Sequence, residues 1–161
     1  MPDTDDAPPA IKARKDAWRR TLQEMESMAA DLESEGWDVV AVPVGHAAPV
    51  SPETTGERSG FVHVIPGNYR EPFTTAFEAG GFERYDVYRQ AVSGQVFFLL
   101  ELLDPESSTA ILLAAQYTKH HADDLEEAVE TEGVVYTHVQ TLDETHLGTF
   151  RHDDPAKFFP E

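Results

Sequence analysis

Cysteine is absent from the chain, and its absence removes disulfides, thiolate zinc sites, iron–sulfur ligation and cysteine nucleophiles together. Basic residues are scarce as well: 12 Lys and Arg stand against 30 Asp and Glu, a formal charge of −18. Such a surface repels a nucleic-acid backbone, so no nucleic acid is expected as a partner. No stretch approaches the roughly 20 apolar residues of a membrane span. The opening Met1-Pro2-Asp3-Thr4-Asp5-Asp6 is acidic where a targeting segment is basic. A cytoplasmic location without a membrane partner is expected. The nucleophile elbow GxSxG, the phosphate-binding P-loop, a strand-borne GxGxxG, the EF-hand loop and HExxH are also missing. No catalytic residue and no cofactor is therefore assigned from motifs.

What is present is enough for a core. The 161 residues suit one hydrophobic interior, and Val96-Phe97-Phe98-Leu99-Leu100 and Ala110-Ile111-Leu112-Leu113-Ala114-Ala115 are core material. Disorder needs low hydrophobicity as well as charge. Four Lys (Lys12, Lys15, Lys119, Lys157), the acidic excess and the ending His152-Asp153-Asp154-Pro155-Ala156-Lys157-Phe158-Phe159-Pro160 resemble small uncharacterised acidic families of salt-loving archaea. The resemblance implies a cytoplasm of molar potassium salt, where the Debye length is about 3 Å and carboxylates cease to repel one another at range. It implies no activity.

Residues 1–9 read as a disordered tail and 10–161 as a single domain. A helical pattern from Ala10 to Glu35 stops at Gly36, where glycine can close the helix in a left-handed conformation. Trp37–Val44 and Phe61–Ile65 read as strands, and the Pro/Gly/Ser-rich stretch 45–59 between them as a mobile loop. Pro72 suits the first turn of a short helix ended by Gly80-Gly81. Three strands near 82–91, 95–103 and 108–117 follow, joined by connections short enough for antiparallel hairpins. A helix from Asp123 ends at Gly133, and strands near 134–142 and 146–150 complete the chain. Consecutive hairpins exclude a doubly wound parallel sheet. The expected fold is α+β: a mainly antiparallel sheet of five to seven strands, with a long N-terminal helix and two shorter helices packed chiefly on one face.

The first helix is charged against its own dipole. Residues 10–20 carry a net +4 and residues 21–36 a net −5, whereas cations favour a helix C-terminus and anions its N-terminus. Two copies paired antiparallel would oppose unlike halves, and the Trp18, Leu22, Met25 and Ala29 seam would lie between them as the interface of a homodimer. Packing of the same seam on the chain's own sheet is the simpler alternative.

Two constellations invite chemistry. Tyr69, Arg70, Arg84, Tyr88 and Arg89, with Tyr85, concentrate cations and aromatic walls and suggest a site for a small anionic ligand beneath the 45–59 loop. Strand alternation, however, places Arg84 and Tyr88 on one face and Tyr85 and Arg89 on the other. The histidines, chiefly His120-His121 beside Asp123-Asp124 with His138, His146 and His152, do not match a metal-ligand spacing, and no metal site is assigned. A half-buried, hydrogen-bonded role is expected for His138, and pairing with an Arg on the adjacent strand for Glu101. These features favour a non-catalytic, salt-adapted cytosolic protein-interaction or adaptor module whose protein partner is unknown. The alternative is a small anionic-ligand-binding or metal-dependent enzyme using the Arg/Tyr strand or the histidines.

Overall fold

The computed structural model describes residues 8–53 and 55–160. The expected tail therefore lies outside the described residues except at its end, where Pro9 is the first residue of helix α1 (Pro9–Ser34). Proline at this position has the helical φ already and loses no intrahelical bond. The helix closes through Gly36, at φ 95°, and the Trp37 amide donates back to the Leu32 carbonyl at 3.0 Å. Strands β1 (Asp38–Val50) and β2 (Gly60–Ile65) follow, then α2 (Arg70–Ala79), strands β3 (Arg84–Val92), β4 (Gln95–Asp104) and β5 (Thr109–Thr118), α3 (Asp123–Glu132), and strands β6 (Val135–Thr141) and β7 (His146–His152). The fold is α+β as expected, with seven strands in the order β3-β4-β5-β1-β2-β6-β7.

The β3–β4–β5 meander is antiparallel. Its first turn has Ser93 at φ 49° and Gly94 at φ 79°, the two positive values a tight hairpin demands. Two pairs are parallel, β1 with β5 and β2 with β6, so the sheet is mixed. The expected 45–59 loop is corrected at its start, because Gly45–Val50 continue β1. A bulge between Pro43 and Gly45 reverses which residues point inward. Val40, Val42 and Val44 face the larger core before it and Ala47 after it. Past the bulge β1 stays paired with β5 through His46 and then, from Ala47, pairs with β2. Alternation was obscured at this bulge, and the Pro and Gly that read as loop signals occupy a bent strand.

The sheet curls strongly about this bent strand. Phe61 of β2 and Phe98 of β4 are three strand positions apart, about 14 Å in a flat sheet, yet their ring centroids are 6.0 Å apart. Tyr85 and His152 belong to the two edge strands β3 and β7, and their rings approach to 4.5 Å. The C-terminal segment fills this seam. Phe158 and Phe159 are buried in it, and the Tyr117 hydroxyl donates to the Phe158 carbonyl at 2.7 Å. Inside the curl, Phe61, Phe98, Leu100, Ile111, Leu113 and Tyr117 pack with Phe73 and Ala76 of α2 and Leu125 and Val129 of α3. The two shorter helices thus share a face. The long helix covers the opposite one, where Met25, Ala29 and Leu32 meet Leu99, Ala110, Leu112 and Ala114. Burial on both sides explains why Val96–Leu100 of β4 and Ala110–Ala115 of β5 are apolar on both faces.

Candidate functional site

The five residues expected to form an anion site do not converge. Arg84 and Tyr88 project on the α1 side of β3, where Asp86 is the cross-strand partner of Glu101. The Glu101 carboxyl is pushed above its ordinary range by burial and by the Asp86 charge, with Arg84 opposing. The expected Arg–carboxylate pair is therefore corrected: an acid lies directly across from Glu101, and Arg84 acts from a neighbouring register position. Arg89 projects to the other face and donates through Nε to the Lys157 carbonyl at 3.1 Å, tying down the C-terminal segment. Tyr85 does the same by accepting the Asp154 amide at 2.9 Å. Tyr69 ends a short 3-10 turn and packs on the core, and Arg70 opens α2; the Asp143 carboxyl is held below its ordinary range chiefly by hydrogen bonds from Thr141 and Thr145, with the Arg70 charge adding to them. The connection expected to cover the five residues instead borders α3, where Ser51, Pro52 and Ser59 line a cavity with Asp124, Ala128 and Glu132.

The seam of α1 is occupied within the chain. Met25 and Ala29 are buried against β4 and β5, and Trp18 and Leu22 pack on the same cluster. The seam thus packs on the protein's own sheet, the simpler of the two arrangements, because amphipathic burial is available within the chain. The charged face of α1 is left outward.

Among the described residues, no group of three or more His, Asp or Glu is arranged to hold a metal ion. His120 and His121 sit in a short 3-10 turn before α3, exposed, with rings 4.4 Å apart.

Two histidine clusters do form, one on each side of the β2–β6–β7 part of the sheet. Inside the curl, His63 of β2 is fully buried and neither ring nitrogen has a hydrogen-bond partner. His152 is buried too; its Nε2 lies 2.8 Å from the Thr137 hydroxyl while Nδ1 is unpartnered. Desolvation lowers both rings to a pKa of about 3, and a charge on His152 or His138 further opposes one on His63. Both are therefore neutral in the folded protein near pH 7.

On the outer side, His138 is held at both nitrogens, as the sequence suggested. Its Nε2 is 2.9 Å from the Arg58 carbonyl and its Nδ1 is 3.1 Å from the Thr149 hydroxyl. A carbonyl only accepts, so Nε2 carries the proton, and in the neutral ring Thr149 donates to Nδ1. The His146 Nε2, 2.7 Å from the same hydroxyl, is then the donor to it. Arg58 also places its guanidinium carbon 5.3 Å from the centroid of Tyr136, whose ring lies within 12° of parallel to that of His138 at 6.1 Å. This outer cluster was missed in the sequence. Its one legible signal is that β2, β6 and β7 contain no Asp or Glu in a chain with 30.

These features describe a single curled mixed sheet between one long and two short helices, with a histidine cluster on each side of its β2–β6–β7 part. The chain belongs to a family of unknown function, DUF7529, whose model matches residues 4–160. No curated protein and no solved structure matches it.

Proposed function

We propose that the protein is a non-catalytic interaction module of a salt-rich cytoplasm, and that it self-associates through the outward face of α1. The observation that carries this reading is the segregation of charge on a helix whose apolar side is already buried at home. Lys15, Arg19 and Arg20 lie exposed in the first half and Glu24, Glu26, Asp31 and Glu33 in the second. Antiparallel apposition of two copies sets each basic half against the other's acidic half about a two-fold axis near Gln23. Two of the exposed large apolar residues, Ile11 at 38% and Tyr88 at 44% exposure, flank the basic half and add apolar contact to it.

Salt supports the arrangement. Two bodies of −18 repel at long range, and this repulsion is screened far more at about 1 M salt than contacts made within a Debye length of about 3 Å. Self-association is therefore expected to rise from dilute buffer towards molar potassium chloride.

The absence of native cysteine makes a positional test simple. A Gln23→Cys variant is expected to form a disulfide-linked dimer on mild oxidation in molar salt. Lys15→Cys is not, since the two sites would be about 24 Å apart in the antiparallel pair. No cross-link at position 23, or equal cross-linking at both, would overturn the proposal.

A further inference from the structure

We infer a ligand site of different chemistry on the outer side of β2, β6 and β7: a platform for a planar aromatic anion of the nucleoside monophosphate kind, centred on Tyr136 and flanked by Arg58 and Arg151. The inference does not depend on α1. Helix α1 packs across β1, β3, β4 and β5, whereas on the outer side of β6 it is Arg58 that reaches His138 through its carbonyl and Tyr136 through its guanidinium. Tyr136 is half-buried, so its ring is held and one part of it faces solvent. Arg151 is its direct cross-strand partner on β7 and is exposed, which places the two Cβ atoms about 5 Å apart. Arg58 is exposed as well, beyond its contact with the ring. Neither guanidinium has a carboxylate partner among the described residues, although the chain holds 30 acids.

The surrounding strands explain what this exception selects. The three strands of this face contribute no carboxylate of their own, so an anion meets less repulsion here than over strands that carry acids. One guanidinium fork over the Tyr136 ring and a second on its cross-strand neighbour Arg151 offer one ligand a planar stacking surface and donors matched to a phosphate. The His146–Thr149–His138–Arg58 chain of hydrogen bonds fixes the platform from the side, since it fastens the Arg58 backbone to β6 and β7. The global charge of −18 weighs against a long nucleic-acid strand and much less against a single nucleotide.

The test is titration of the full chain with adenosine 5′-monophosphate, followed by the Tyr136 and His138 ring signals in nuclear magnetic resonance. Adenosine alone, inorganic phosphate and a short single-stranded oligonucleotide are titrated in parallel. The monophosphate is expected to shift both signals and to bind about tenfold more tightly than adenosine or phosphate alone, because stacking and charge act together. An Arg58→Gln/Arg151→Gln variant that keeps the wild-type circular dichroism is expected to lose that advantage. Tyr136→Leu is expected to bind the monophosphate no better than phosphate. Tighter binding of the oligonucleotide, lost in the same variants, would assign the same chemistry to the end of a strand. No shift with either nucleotide probe, or shifts unchanged in the arginine variant, would overturn the inference.

Discussion

Replacing His63 by Leu should make the protein more stable at pH 7 and less sensitive to acid. Both ring nitrogens of His63 are buried without partners, and an unsatisfied buried polar group costs about 1–3 kcal/mol. Leucine is of similar size and has nothing to satisfy, so His63→Leu is expected to gain about 2 kcal/mol at neutral pH. The pH dependence follows from the lowered pKa of about 3. Above pH 6.5 the ring is neutral in both states and imposes no proton-linked cost. As pH falls below 6.5 the unfolded chain takes up a proton that the folded chain does not, and stability declines by about 1.4 kcal/mol per pH unit until the folded ring itself titrates near pH 3. His152 contributes a second such decline over the same window. By pH 5 the two amount to about 4 kcal/mol, a sizeable part of an ordinary domain's roughly 5–15 kcal/mol. Denaturant unfolding at constant potassium chloride between pH 7 and pH 5 measures this directly. Most carboxylates stay ionised there, so the difference between wild type and variant isolates the ring. Parallel stability curves, or a variant less stable at pH 7, would refute the reasoning.

Other substitutions probe the seam and the C-terminal segment. Met25→Ala should destabilise the monomer by about 2–5 kcal/mol at every protein concentration, because Met25 is buried against β4 and β5 of its own chain. A loss that vanishes on dilution would instead place that residue between copies. Tyr117→Phe should cost about 1 kcal/mol through the lost bond to the Phe158 carbonyl. Hydrogen exchange of residues 153–160 should rise in that variant while the β4 and β5 amides remain protected; uniform loss of protection would show that the segment is not separately fastened.

Much of the architecture was legible because its signals are local. Gly36 and Gly133 both adopt the positive φ that ends a helix, at 95° and 74°. Ser93-Gly94 forms the tight hairpin turn, and the doubly apolar β4 and β5 lie inside the sheet. The course of 45–50 was not legible, because a bulge breaks the alternation that marks a strand and only the distant β2 shows where the chain goes. The curl was hidden for the same reason: the approach of Tyr85 to His152 joins residues 67 positions apart and leaves no local pattern. Strand parity had already separated Arg84 and Tyr88 from Arg89. The fate of the α1 seam depended on whether a sheet of matching apolar residues was available to it, and Leu99, Ala110, Leu112 and Ala114 supply one. The outer Arg58–Tyr136–His138 cluster draws on a connection, β6 and β7 at once, so spacing along the chain did not reveal it.

The mass of the protein in sedimentation equilibrium at about 1 M potassium chloride, where the Debye length is near 3 Å, tests the proposed self-association most directly. The account predicts a reversible dimer for the wild type and a monomer for the Arg19→Glu/Arg20→Glu variant, whose basic half no longer opposes an acidic one. A wild-type monomer at all concentrations, or a dimer that survives the charge reversal, would contradict it.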